Sequence, residues 1–224
     1  MKTRSLFKFS TLALAGLLSF AAFAAPVTFN ESAAGTGDLP GATDVIASGA
    51  ENGLSIRGDL KDGRGGFAPN LVDMFQFSVG VAGTYRFNTF GSAIADTQLF
   101  LFDSAGMGLY WNNDASLAPV DTLSAFNATL GLGDYYVAVS FFGLDADDGA
   151  GSIFDTLGNG GSALAGSGSI AGWTDFSGLG VPGTVWDVTG YTISIELPEP
   201  GALALSLMAL GLMAGVHGRR ARKA

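Results

Sequence analysis

The chain of 224 residues has no cysteine and one histidine, His217, near its carboxyl end. Without thiols it can build neither a disulfide framework nor a cysteine nucleophile, so its stability rests on packing or a bound ion. With its only imidazole at position 217, the rest of the chain can assemble no Ser-His-Asp relay and no histidine-based zinc site. Ser-Lys chemistry is equally poorly served, because Lys61 is the only lysine between Lys8 and Lys223 and stands beside Asp62 in a turn-like stretch. Gly63 to Gly66 has neither the spacing nor the Lys-Ser/Thr ending of a phosphate-binding loop. Helical periodicity is missing from the centre of the chain, and its 34 glycines penalise long helices.

Positive charge is scarce where it would matter most. Of eleven Lys and Arg, Lys2, Arg4 and Lys8 lie at the amino end and Arg219, Arg220, Arg222 and Lys223 at the carboxyl end. Arg57, Lys61, Arg64 and Arg86 are left against all twenty acidic residues, a net charge of −16 compared with −9 for the whole chain. Such a field disfavours nucleic acid and anionic lipid as partners. It favours solubility, with divalent cations or a cationic polymer as the alternatives.

The two ends read as addresses. The basic start leads into the apolar run Leu12 to Phe20 and the small-residue pair Ala22 and Ala24. This is the pattern of a signal peptide over residues 1–24, read by the Sec translocon and cut by signal peptidase after Ala24. At the other end, Pro198-Glu199-Pro200 precedes Gly201 to Gly218, whose only clearly polar side chains are Ser206 and His217. As a helix, residues 201–218 would span roughly 27 Å, slightly less than a hydrocarbon core of about 30 Å. Snorkelling of the basic flank makes up the difference. Basic side chains immediately beyond a span hold that end on the cytoplasmic side, so residues 219–224 form a stop-transfer tail and the body, 25–197, stays outside.

The body is a succession of short alternating runs separated by Gly, Asp, Asn and Ser. Met74 to Val79 and Thr84 to Phe90 each show period two, and the intervening Gly80 to Gly83 predicts a hairpin. Thr97 to Phe102, Met107 to Trp111, Leu123 to Leu130, Tyr135 to Phe142 and Val185 to Leu197 are further strands, with 97–102 and 107–111 as antiparallel neighbours. The pattern predicts an all-β sandwich, of which a jelly roll is one form. Its expected core includes Phe75, Phe77, Tyr85, Phe87, Leu99, Leu101, Tyr136, Val137 and Val139, and from the last strand Val188, Tyr191, Ile193 and Ile195. Asp44 to Ile46 and Leu54 to Ile56 are expected as opening strands. The Gly, Asp and Ser-rich residues 143–183 are expected to cover one sandwich face with Trp173 packed inward. For Tyr85, Phe141 and Phe142 an exposed aromatic platform is the alternative.

Two resemblances add to this reading. Pro198-Glu199-Pro200, the apolar span and the closing Arg219-Arg220-Ala221-Arg222-Lys223 together resemble the PEP-CTERM sorting signal of exported bacterial proteins. The same tail is also labelled an ice-binding-protein carboxyl-terminal domain, but an address implies no ice binding. The resemblance implies recognition and removal of the tail by an exosortase, a membrane-embedded cysteine transpeptidase, and an association with exopolysaccharide and biofilm matrix. The stretch 73–140 resembles the pre-peptidase C-terminal β-sandwich modules of secreted peptidases. It carries Asp73-Met74-Phe75-Gln76-Phe77, Gly83-Thr84-Tyr85, Asp96-Thr97-Gln98-Leu99-Phe100-Leu101-Phe102-Asp103, Asn112-Asn113-Asp114 and Gly133-Asp134-Tyr135-Tyr136. That resemblance implies an accessory, noncatalytic module. Asn113 departs from an acidic position of the usual turn.

Among chemical roles, calcium fits the composition best, because this hard cation takes six to eight oxygens from Asp, Asn and carbonyl groups. Asp145, Asp147 and Asp148 form the first candidate cluster, and Asn112, Asn113 and Asp114 the second, with Asn112 and Asp114 its preferred ligands. An ordinary acidic turn competes with either. The first cluster lacks EF-hand spacing and the terminal Glu of that motif. Asp73, Asp96 and Asp114 are the weak candidates for a glycoside hydrolase, which needs two convergent carboxylates. The expectation is therefore an exported noncatalytic envelope or matrix protein that binds extracellular polysaccharide or coheres, with a carbohydrate-binding module as the alternative.

Overall fold

Alternation of apolar side chains sorts the chain into two sheets that share an interior. The computed structural model describes residues 26–32, 36–50, 53–61, 70–94, 96–115, 122–154, 163–164, 167–175 and 189–197. Strands β1 (Val27–Asn30), β3 (Leu54–Leu60), β13 (Thr189–Glu196), β5 (Gly83–Asn88) and β8 (Ala125–Leu130) pair in that order as one sheet. The second sheet runs β11 (Ala163–Leu164), β7 (Gly108–Asn112), β6 (Thr97–Asp103), β9 (Gly133–Phe141), β4 (Val72–Val79), β2 (Asp44–Gly49). A separate ribbon joins β10 (Leu144–Asp147) to β12 (Gly172–Asp175). Both sheets are mixed, since β1 runs parallel to β3 and β2 parallel to β4. The fold is all-β and sandwich-like, with β2 and β3 where opening strands were expected.

Inward residues recur at every second position, as a half-buried strand requires. Phe75 and Phe77, Tyr85 and Phe87, Leu99 and Leu101, Val137 and Val139, and Tyr191, Ile193 and Ile195 meet in one core cluster. Each fully buried Phe contributes about 1.5–3 kcal/mol relative to exposure.

The expected hairpin of β4 and β5 does not form. β4 pairs with β9 and β2, whereas β5 pairs with β13 and β8, so Gly80 to Gly83 carries the chain from one sheet to the other. The reason lies in the apolar faces of the two strands. Placed across the core they bring the Phe77 and Phe87 rings to a centroid distance of 6.0 Å. The Tyr85 hydroxyl donates to the Val81 carbonyl at 2.6 Å and ties the crossing.

The six-stranded sheet is covered on its outer face as well. Val72, Met74, Phe100, Phe102, Trp111 and Ala138 form a second buried cluster with Ala146, Ile153 and Phe154. Tyr136 belongs here and not to the inner core, because it alternates with Val137 along β9. Trp173 of β12 packs edge-on to Phe100 at 5.0 Å and Phe102 at 6.3 Å, and its indole N–H donates to the Asp38 carbonyl at 2.7 Å. The described part of the 143–183 region thus forms a flap over this face with Trp173 turned inward, as expected. Double coverage explains why Thr97 to Phe102 of β6 is buried at every position.

The β6–β7 connection shows how a tight turn is encoded. Asp103 Oδ1 accepts the Ala105 and Met107 N–H groups at 2.9 Å each, while Gly106 adopts a φ of 78° that suits glycine. Leu99 then lies opposite Asn112 in the antiparallel pair expected for these segments. The expected signal peptide 1–24, Val188, the Pro198-Glu199-Pro200 motif, the expected span 201–218 and the basic residues 219–224 lie outside the described residues. Among the described residues no helix is long and apolar enough to cross a membrane.

Candidate functional site

A polar pocket and a buried carboxyl lie where β1, β3, β4 and β13 come together. A pocket of about 380 Å³ opens beside β1 and β3, lined in part by Glu31, Arg57, Asp59 and Lys61. Glu31 is fixed by the backbone, its Oε1 accepting Thr36 N–H at 3.3 Å and its Oε2 accepting Asp59 N–H at 3.0 Å. Gly58 lies opposite Tyr191 in the β3–β13 pair. A side chain there would collide with both Glu31 Oε2 and the Tyr191 hydroxyl.

Behind this wall sits Asp73, on the same inward face of β4 as Phe75 and Phe77 and fully buried. Asn70 Nδ2 donates to its Oδ1 at 2.9 Å. Tyr191 interacts with the carboxyl, yet Asp73 Oδ2 and the Tyr191 hydroxyl each lack a hydrogen-bonded partner of normal geometry. Burial, reinforced by the Glu31 charge, pushes the Asp73 carboxyl up to about 7, against the opposing pull of Asn70, Tyr191 and Lys61. Burial and then the Asp73 and Glu31 charges push the Tyr191 phenol far up, so it stays protonated. The pair can hold a proton near neutrality. The pair supplies no nucleophile, and the neighbouring Glu31 carboxylate is held by two backbone N–H groups.

The first calcium cluster is divided by the fold. Asp145 is buried under the flap, where its Oδ1 accepts the Gln98 amide at 3.1 Å. Asp147 accepts the Gly149 N–H at Oδ1 and the Thr174 hydroxyl, at 2.7 Å, at Oδ2. Asp148 Oδ1 accepts the N–H groups of Ala150 at 2.9 Å and Gly151 at 3.1 Å, an ordinary Asx arrangement. Among the described residues, no three acidic, histidine or cysteine side chains converge closely enough to hold an ion by themselves.

The second cluster is assembled differently from its sequence outline. Asn112 is a buried staple: its Oδ1 accepts Ala125 N–H at 2.8 Å and its Nδ2 donates to the Asp114 carbonyl at 3.0 Å. Beside Asp114 stand Asp96, the residue before β6, and the buried Asn113. Burial, aided by the Asp114 charge, pushes the Asp96 carboxyl up to about 6. Asp73 lies at the same end of the sheet but on the far side of it. It shares a cross-strand row with Val139, Leu99 and Asn112, which puts it three strand spacings, about 14 Å, from β7.

The chain matches no protein-family model and no curated protein. The weight of Asp73 was detectable in principle, because it has the same strand parity as Phe75 and Phe77 and so had to face inward. Nothing in the sequence signals the Tyr191 hydroxyl as its neighbour, since the two are brought together only by sheet-to-sheet packing.

Proposed function

We propose that the chain is a noncatalytic exported protein of the envelope or extracellular matrix, sorted through its tail. The observation that carries this reading is the ordered triple of Pro198-Glu199-Pro200, the apolar run 201–218 and the basic residues Arg219, Arg220, Arg222 and Lys223. The signal over residues 1–24 delivers the body across the inner membrane through the Sec translocon. The helix over 201–218 then holds it at the membrane with its basic end inside, and an exosortase acts at the Pro-Glu-Pro motif and removes the tail. The body is left on the surface or in the medium, in contact with extracellular polysaccharide.

The packing of the body speaks against a sugar platform at Tyr85 and Phe141, since both are buried. A carbohydrate-binding role is supported instead by the polar pocket with Glu31, Arg57, Asp59 and Lys61 on its rim. A glycoside hydrolase gains no support, since Asp73 lies inside the sandwich, well away from Asp96 and Asp114.

Replacing Pro198, Glu199 and Pro200 together by alanine is expected to trap the body in the membrane fraction of exosortase-bearing cells, whereas the unaltered chain leaves it. Fractionation with an antibody against the body makes the comparison. Equal release of both chains, or equal release in cells without an exosortase, would contradict the sorting role.

A further inference from the structure

We propose that Asp96, Asn113 and Asp114 form a site for one divalent, oxygen-seeking cation, with calcium as the best fit, at one end of the six-stranded sheet. The placement follows from strand register. β6 and β7 are antiparallel with Leu99 opposite Asn112, so the residue before β6 and the two residues after β7 reach the same sheet end. Asp96 and Asp114 stand close enough there for each charge to oppose the other.

Two oxygens at this place have nothing to bind. Asp96 Oδ1 and Asn113 Oδ1 are enclosed and have no hydrogen-bond donor. Asn113 is only 3% exposed, and its amide lies against Asp114, with Nδ2 3.4 Å from Oδ2. An enclosed acceptor without a donor is unfavourable, as is a pair of carboxylates with shared burial. A cation removes both costs together, since it accepts lone pairs from all three side chains and neutralises the pair. An all-oxygen set that mixes carboxylate with amide suits calcium, whereas zinc would call for nitrogen or sulfur.

The surrounding chain holds these groups in place without help from an ion. Ser124 Oγ lies 2.6 Å from the Thr97 carbonyl oxygen and 2.9 Å from that of Asn113, bridging the two sides of the site. Thr89 and Thr97 hydroxyls meet at 2.7 Å beneath them, and the Asn112 amide secures the backbone at Asp114 and Ala125. Asn112 therefore positions the ligands and is not one of them. Both Asp147 oxygens and Asp148 Oδ1, by contrast, accept donors from their own loop or from Thr174.

The test is a calorimetric titration of the chelator-treated full-length protein with calcium chloride alone. One calcium per chain is expected, with a dissociation constant of about 10⁻⁴–10⁻³ M, the range of extracellular modules. The bound ion should raise the melting temperature by several degrees, reversibly with chelator. Asp96→Asn and Asp114→Asn should weaken binding at least tenfold, whereas Asp147→Asn and Asp148→Asn should bind as the parent does. Asn113→Asp, which adds a third carboxylate, should tighten binding while lowering the melting temperature without calcium, and it keeps the test decisive if the Asp96 variant folds poorly. No saturable heat and no thermal shift up to 10 mM calcium would overturn the site. Binding that survives the Asp96 and Asp114 changes but is lost with Asp147 or Asp148 would overturn it too.

Discussion

Asp73→Asn is expected to raise the melting temperature by about 10 °C at pH 8 and by very little at pH 4. Asp73 is fully buried, and its carboxyl is raised from 3.8 to about 7 in the folded chain, first by burial and then by the Glu31 charge. A raised carboxyl binds its proton more tightly in the folded state than in the unfolded one. Stability from this group is therefore intact below pH 4, falls as pH rises towards 7, and is flat above that. A shift of this size amounts to about 4 kcal/mol of lost stability at alkaline pH. Asparagine never ionises, and it has the shape to keep the Asn70 contact while turning an N–H toward the Tyr191 hydroxyl. Both orphaned atoms then gain a partner. Thermal unfolding of the two chains between pH 4 and pH 8 measures the difference. Parallel curves would show that Asp73 titrates alike in the folded and unfolded chain, and a variant less stable at pH 8 would show that it is stabilising as an anion.

The second large effect belongs to the opposite face of the same sheet. Phe100→Ala is expected to cost about 3–5 kcal/mol, measured by urea unfolding. Its ring is fully buried and meets Phe102 at 6.3 Å, Phe154 at 5.8 Å and Trp173 at 5.0 Å. Removing it leaves a cavity between the sheet and the flap, so proteolysis around Gly149 to Ser152 should speed up before global unfolding does. A cost below about 1 kcal/mol with unchanged proteolysis would mean that the flap does not pack here.

The sequence made the strands and their inward residues legible wherever a single period-two pattern ran between turn residues, as at Phe75 and Phe77 or Tyr191 to Ile195. It misled where pairing had to be chosen. The Gly80 to Gly83 turn is short enough for a hairpin, and only the facing of Phe77 and Phe87 across the core explains why the chain changes sheets instead. Tyr136 was misplaced because a run apolar on both faces carries no indication of which face is the inner one. The site was legible in part. Asn113 and Asp114 could be singled out from their turn, but Asp96 joins them through β6–β7 register, and the partners of the Asn112 amide, Ala125 and Asp114, appear only in the folded chain. Such long-range assignments of side chains depend on packing that no local spacing encodes.

Export followed by removal of the tail would be written in the intact mass of the protein recovered from the envelope and medium of the cells that make it. A mature chain that begins after Ala24 and ends near Pro198 to Gly201 is the expected result. A chain that retains Arg222 and Lys223 would contradict the processing step and leave a single-pass anchored protein in its place.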